Sequence, residues 1–183
     1  MSNKTQLDGF HYLPGSIVTD AVPDNDRAVF RAKKILQGII YDTVALEDNP
    51  FTFPEVKTLL DGVTVGGHKL SDEKQVLNQA KSWKHLLSLV AKGQYQLTKD
   101  RFLELHALVA EDEAPTWGQF RDGAVSIAGT AHQPPQAASL VSLFDAGVAD
   151  IHRVDNVHEQ AVAFFYSVAS INFFGTATSE PHV

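Results

Sequence analysis

Residues 117–135 read WGQFRDGAVSIAGTAHQPP, and they interrupt a chain whose other long segments repeat apolar residues at helical spacing. Within this segment apolar side chains alternate around Phe120, Val125 and Ile127, and three glycines and a terminal Pro-Pro pair punctuate it. The pattern predicts one β-hairpin in an otherwise helical chain.

A single hairpin between helices has edges whose backbone donors and acceptors are unpaired. Two interpretations of residues 117–135 stay open on the sequence alone. The segment is either an excursion covered by solvent, or a platform that aligns an extended peptide by strand addition.

The segments around the hairpin predict helices, each with apolar residues on one side. They are RAVFRAKKILQGIIYDTVALE (27–47), FPEVKTLLDG (53–62), DEKQVLNQAKSWKHLLSLVAKG (72–93), KDRFLELHALVAED (99–112), PQAASLVSLFDAGVADIHR (135–153) and VHEQAVAFFYSVASINFF (157–174). The predicted fold class is therefore all-α with one β-hairpin, and residues 1–23 are expected to form an irregular N-terminal arm.

Composition excludes several classes of protein. With 183 residues, 44% of them hydrophobic and 20% charged, the chain has the composition of a folded, soluble domain. A net charge of -7 disfavours a nucleic-acid partner. The absence of cysteine excludes disulfides and thiolate chemistry and fits a cytoplasmic location.

Neither a membrane span nor a metal centre is predicted. The longest apolar stretch, 161–174, is shorter than the roughly 20 residues that cross a bilayer, and the first residues lack the apolar core of a signal peptide. The eight histidines do not fall into a known metal-binding spacing.

Thr43 and Glu47 lie four residues apart, so they share one face near the C-terminal end of the first long helix. The helix dipole disfavours a carboxylate at this end. Glu47 is either a solvated residue at a helix end or is held there to meet a buried arginine elsewhere.

Taken together, these segments resemble the Fic (filamentation induced by cAMP) family, also called Fido, from about Tyr41 to Phe174. TVALEDNPFTFPEV (43–56) is similar to the family's N-terminal inhibitory helix: Thr43 and Glu47 match, and Asp48 stands where Gly or Asn is expected. FLELHAL (102–108) is similar to the helix before the flap, and residues 117–135 resemble the flap itself. The resemblance implies a Fic-like helical bundle with one β-hairpin flap.

Residues 158–174 are similar to the helix that leads into the family's active loop, His-x-Phe-x-Asp/Glu-Gly-Asn-Gly/Lys-Arg. In that loop the His is a general base, the glycine-rich part binds phosphate, the acidic residue holds metal and the Arg neutralises charge. Here Asn172 stands at the position of the catalytic His and Phe174 at that of the motif Phe, and the rest is absent. Because an amide cannot take a proton as His does, we expect catalysis to be lost or severely impaired.

The final residues, 175–183, have the character of an out-of-frame tail. If Phe174 and the following residues are encoded TTT GGG ACG GCA ACA AGC GAA, the reading that begins at the last T gives Trp-Asp-Gly-Asn-Lys-Arg. That is the missing active loop, in order, and it suggests that one T was lost from a short run. The hypothesis makes the chain a Fic core truncated at its active-site loop, and the nucleotide sequence of the locus tests it.

The resemblance implies a domain organisation. Residues 24–62 would carry the inhibitory-type motif, 63–174 the core with the flap near 117–135, and 175–183 the altered tail. Exposed apolar surface on the helix 157–174 would then promote self-association.

The resemblance also implies transfer of AMP from ATP, with Mg2+, to a Ser, Thr or Tyr hydroxyl of a protein. Glu47 would be inhibitory, with Thr43 beside it. A target protein segment would bind along the flap, whose residues would be Phe120, Val125, Ser126, Ile127 and Ala128. The alternatives are a protein-binding module without catalysis that uses the flap groove, and a pseudogene product.

Overall fold

A computed structural model describes residues 5–7, 10–12, 22, 24–114, 116–127, 129 and 131–174. It contains two short strands, β1 (Thr5–Leu7) and β2 (Phe10–Tyr12), and the helices α1 (Asn25–Leu46), α2 (Phe53–Leu60), α3 (Leu70–Ala91), α4 (Lys99–Val109), α5 (Leu140–Ile151) and α6 (Val157–Ile171). A 3₁₀ turn, Ala137–Ser139, precedes α5. The predicted helices are all present, with ends that differ by a few residues except at the start of the fifth. Two predicted features, Ala128 and the tail 175–183, lie outside the described residues.

The chain divides into two compact units, the first formed by residues 24–96 and 100–119 and the second by the remainder. In the first unit, α1 and α2 pack on α3. Its core consists of buried apolar side chains from these helices and from the α1–α2 connection: Ile40, Val44, Phe51, Val56, Leu59, Val76 and Ala80. These residues recur at the helical spacing that the sequence shows.

Local signals in the sequence account for the helix boundaries of the first unit. The Asp24 side chain caps α1 by accepting a hydrogen bond from the Arg27 N–H at 2.9 Å. Thr52 and Glu55 form a capping arrangement at the start of α2, where the Thr52 N–H donates to Glu55 Oε2 at 2.8 Å. Pro54 in the first turn of α2 loses nothing by lacking an N–H, since that position has no partner inside the helix.

The second unit contains α5 and α6, which pack together around Ile151, Val154 and Ala163. The Asn156 side chain caps α6 and accepts from the backbone N–H groups of His158 and Glu159. Beyond Glu159 and Gln160 the helix carries only apolar, Tyr and Ser side chains, and Phe165 remains 75% exposed. None of the described helices is long and apolar enough to span a membrane.

The N-terminal arm is more regular than predicted. β1 and β2 pair antiparallel, with Leu7 opposite Phe10 and Thr5 opposite Tyr12. Strand-forming Thr, Phe and Tyr flank the dipeptide Asp8-Gly9, the residue pair that favours a two-residue hairpin connection. That signal lay within the segment that the sequence analysis expected to be irregular.

The hairpin predicted for residues 117–135 is not shown. The described residues of this segment, 117–127, 129 and 131–135, form bends, a turn and irregular backbone without strand pairing. Part of the reason is that the Arg121 N–H donates to the carbonyl of Phe173 at 2.9 Å rather than across the segment. An isolated two-stranded hairpin is marginal in water, so contacts with a helix end can replace its pairing.

Candidate functional site

The position of the expected catalytic residue is the C-terminal end of α6. Asn172 ends the helix in the left-handed conformation, with φ 51°, and its N–H donates to Val168 O at 3.1 Å. Asn adopts this conformation more readily than most residues, and it commonly ends helices in this way. Asn172 thus acts here as a helix-terminating residue.

A buried arginine surrounds this helix end with hydrogen bonds. Arg121 is 5% exposed; its Nε donates to Asn172 O at 2.7 Å and its Nη2 lies 3.5 Å from Ile171 O. The guanidinium also donates to the carbonyls of Gly123 at 2.8 Å and Pro135 at 2.5 Å. Burial lowers the pKa of the Arg121 guanidinium, but an arginine remains charged in a protein. One cation therefore joins both ends of residues 121–135 to the end of α6.

Aromatic side chains support the same corner. The Phe120 ring lies 4.9 Å from the ring of Phe173, 5.8 Å from Phe144 and 6.0 Å from Phe174, measured between centroids. Tilted rings at these distances add to the stabilisation by burial. Of the predicted site residues, the structure therefore brings together Phe120, Asn172 and Phe174.

The predicted target-binding residues Val125, Ser126 and Ile127 lie on backbone without regular secondary structure. Val125 and Ile127 are half-buried and Ser126 is exposed, the alternation that the sequence predicted. Residues 124–127 make no backbone hydrogen bond to any residue within the described part of the chain.

Thr43 and Glu47, the predicted regulatory residues, belong to the first unit. The Thr43 hydroxyl donates to Ile39 O at 2.8 Å, within its own helix. Glu47 is the exposed C-terminal cap of α1, and among the described residues its carboxylate has no hydrogen-bond or ion-pair partner.

The chain leaves α1 through a left-handed residue, Asp48, with φ 58°. The Asn49 N–H donates to Val44 O at 3.1 Å and the Asp48 N–H to Ala45 O at 3.2 Å. This is the bonding pattern of a Schellman turn, in which Gly and then Asn are preferred at the left-handed position. Asp48 occupies this position, and Asp adopts the left-handed conformation more readily than most residues.

The charge of Glu47 acts on a second carboxyl group of its own unit. Burial is the main cause that raises the pKa of Glu113, and the Glu47 carboxylate raises it further. Hydrogen bonds from Asn78, at 3.2 Å from Glu113 Oε1, and from Gln75 act in the opposite direction, as does the charge of Lys74.

Neither Arg121 nor His106 was predicted from the sequence as a functional residue. Arg121 was named only as part of the resemblance to the flap, and a buried arginine with carbonyl partners has no local signature. His106 accepts a hydrogen bond from the Gly118 N–H at Nδ1, at 3.1 Å, and burial lowers its pKa to about 4. Gly118 has φ 70°, and a Cβ there would lie 3.0 Å from that of Ala107, so the flap segment begins at a position suited to glycine.

The described residues at the end of α6 do not fit ATP and Mg2+. The Arg121 guanidinium donates to four backbone carbonyls and is not free for a phosphate. The groups that contact this guanidinium and the ring of Phe173 are carbonyl oxygens, which repel an anion, and phenyl rings, which offer it no hydrogen bond. Within the described residues no group of three or more His, Asp or Glu side chains could hold a metal ion.

Comparison with solved structures identifies the fold. A Fic family protein from Desulfovibrio desulfuricans G20 superposes with a TM-score of 0.64 at 18% identity, over 93% of this chain and 56% of that one. A Fic domain containing signaling protein from Bacteroides thetaiotaomicron VPI-5482 gives 0.69 at 16%, over 85% and 62%. Fic-1 (residues 134–508) from C. elegans gives 0.66 at 18%, over 87% and 48%.

The chain has the Fic fold, and it spans about half to three-fifths of the length of these solved structures. No protein-family model matches the chain, and no curated protein matches it.

Proposed function

We propose that this protein is a Fic-type protein in which the fold for AMP transfer is retained, transfer itself is lost or severely impaired, and a protein segment still binds along residues 124–127. The observation that carries the proposal is the end of α6. An asparagine in the left-handed conformation occupies the position that the resemblance assigns to the general base, and the buried Arg121 beside it is bonded to carbonyls. The cytoplasmic location and the inhibitory role of Glu47 remain predictions within this proposal.

The Fic fold supports the first part of the proposal. Solved structures named as Fic proteins superpose over most of this chain, and the resemblance implies transfer of AMP from ATP to a protein hydroxyl. The chemistry needs a base toward the target hydroxyl, and the Asn172 amide offers no basic nitrogen.

Residues 124–127 support the proposal that a protein segment binds to this chain. Half-buried Val125 and Ile127 alternate with exposed Ser126, and the backbone of this stretch has no partner among the described residues. An extended peptide can add to such a stretch by backbone hydrogen bonds, with side chains at alternate positions giving specificity.

Incubation with Mg2+ and ATP labelled at the α-phosphate tests the loss of transfer. We expect no label on any protein of a lysate, no increase with Glu47→Gly, and no heat of nucleotide binding by calorimetry. Label that is transferred by the wild-type chain and rises with Glu47→Gly would identify an active, Glu47-inhibited enzyme and overturn this part.

Selection of displayed random peptides on the purified chain tests the binding part. Selected peptides should bind the Ser126→Ala variant as they bind the wild type, because Ala keeps the backbone N–H. They should lose binding to Ser126→Pro, which removes a donor from residues 124–127. Peptides that bind both variants equally would exclude strand addition at this stretch.

A further inference from the structure

We propose that Arg121 is a positioning residue: its guanidinium holds both ends of residues 121–135 and the last carbonyls of α6 as one unit. It thereby sets the position of residues 124–127 relative to Asn172. The proposal concerns the site of the proposed function, but its main test needs no ligand.

The first observation is that a buried charge has its partners in the backbone. A buried cation without partners is costly, and four main-chain carbonyls compensate Arg121. Two of the four, those of Ile171 and Asn172, lie at the C-terminal end of α6, where the helix dipole places partial negative charge. The cation is therefore stabilised by the helix end as well as by hydrogen bonds.

The second observation is that residues 121–135 bond four successive carbonyls of this helix end. His132 Nε2 lies 2.7 Å from Ser170 O. The Arg121 side chain reaches Ile171 O and Asn172 O, and its backbone N–H donates to Phe173 O at 2.9 Å. The last carbonyls of a helix have no partner inside it, so this distant segment acts as the cap of α6.

The third observation is that the same guanidinium bonds the chain on both sides of residues 124–134. It donates to the carbonyl of Gly123, just before residues 124–127, and to that of Pro135, where the chain returns to α5. Nε, Nη1 and Nη2 must point to different carbonyls at once, which suits the planar fork of arginine and not the single ammonium of lysine.

The chain has no cysteine, so paired spin labels report the geometry directly. In the variant Ser126→Cys/Ala169→Cys, one label lies at an exposed position within residues 124–127 and the other at an exposed position on α6. Pulsed electron paramagnetic resonance should give a narrow distance distribution in this background. With Arg121→Met added, we expect the width to grow about twofold or more, because the stretch is then held by fewer contacts. An unchanged distribution would overturn the proposal.

Matched variants separate positioning from general stability. Arg153→Met removes an exposed arginine of the same unit, which pairs with Asp150 at 2.5 Å, and should leave the distribution narrow. Arg121→Lys keeps the charge, and circular dichroism would verify that it is folded. It should broaden the distribution like Arg121→Met, and it carries the test if the Met variant does not fold. A narrow distribution in Arg121→Lys would show that charge alone suffices and would overturn the proposal.

The proposed function fails separately. If the distribution broadens as expected but selected peptides ignore Ser126→Pro, Arg121 positions a stretch that does not bind by strand addition. If peptides depend on Ser126 but the labels do not respond to Arg121, binding stands and the positioning role is wrong.

Discussion

Asp48 and Asn172, the two residues at which the sequence departs from the motifs that the resemblance implies, each follow the last turn of a helix in the left-handed conformation, with φ 58° and 51°. Their energetic consequences differ. Asparagine tolerates this conformation through its short amide, whereas Asp48 adds a negative charge at the C-terminal end of α1, where the dipole is unfavourable.

We therefore expect Asp48→Gly to raise the free energy of unfolding by about 1 kcal/mol, because Gly adopts positive φ without strain and removes the charge. Urea denaturation measures the change. The control is Asp61→Gly, at the C-terminal cap of α2, where φ is -79°: it removes the same charge but relieves no positive-φ strain. Equal stabilisation by the two variants would contradict the conformational argument.

His106 gives a second prediction at the scale of one residue. Its pKa is about 4 in the folded chain against an ordinary 6.5, because burial disfavours the charged form. Between these values the unfolded state binds more protons, so stability is retained above pH 6.5 and falls as the pH drops toward 4.

Denaturation at several pH values should show that the free energy of unfolding of His106→Gln depends less on pH between 6.5 and 4. Gln does not titrate and can still accept from the Gly118 N–H. His158, an exposed histidine of α6, gives the control: His158→Gln should leave the pH dependence of the free energy of unfolding unchanged. A slope that persists in His106→Gln would assign the effect to another group.

At the scale of the element, the start of α2 depends on one carboxylate. Glu55 accepts from the Thr52 hydroxyl at 2.7 Å and from its N–H, and His68 Nε2 lies 3.1 Å from the other oxygen. These bonds, the hydroxyl first, lower the pKa of Glu55 from 4.5 to about 2.

Because this pKa is lowered on folding, the stabilisation is fully present above pH 4.5 and is lost as the pH falls toward 2. We expect Glu55→Gln to flatten the acid limb of the stability profile between pH 4.5 and 2, most clearly below pH 4, where the contribution of His106 to the slope fades. Thermal unfolding by circular dichroism measures it, with Glu73→Gln in the first turn of α3 as control. An acid limb that is equally steep in Glu55→Gln would contradict the capping argument.

At the scale of the whole molecule, the apolar surface of α6 predicts self-association. Ala161, Phe165 and Ala169 recur at helical spacing and are exposed, and Phe165 is 75% exposed. A helix that is apolar on nearly all sides is usually covered.

Sedimentation velocity should show an average mass that rises with concentration, and Phe165→Glu should reduce the rise. Phe30→Glu on α1 is the control, since Phe30 is 59% exposed and packs under the Lys34 ammonium. A wild-type chain that remains monomeric at all concentrations would contradict the prediction.

The sequence by itself determined the helices, because their apolar pattern depends on residues three or four apart. Apolar spacing predicts α1, α2 and α3, and local motifs carry the resemblance to the Fic fold. Asp8-Gly9 shows that the strand pair of the arm was also readable from a local signal.

Only the tertiary structure decided the site. Arg121 bonds Asn172, which is 51 residues away in the sequence, and Pro135, which is 14 residues away. Patterns that repeat every two to four residues do not predict contacts at such separations. The alternation at 120–127 predicted a paired strand that the structure does not show, and the Arg121 N–H donates to Phe173 O at the end of α6 instead. Partners are chosen by the competition for buried carbonyls in the folded chain, and that competition has no local expression in sequence.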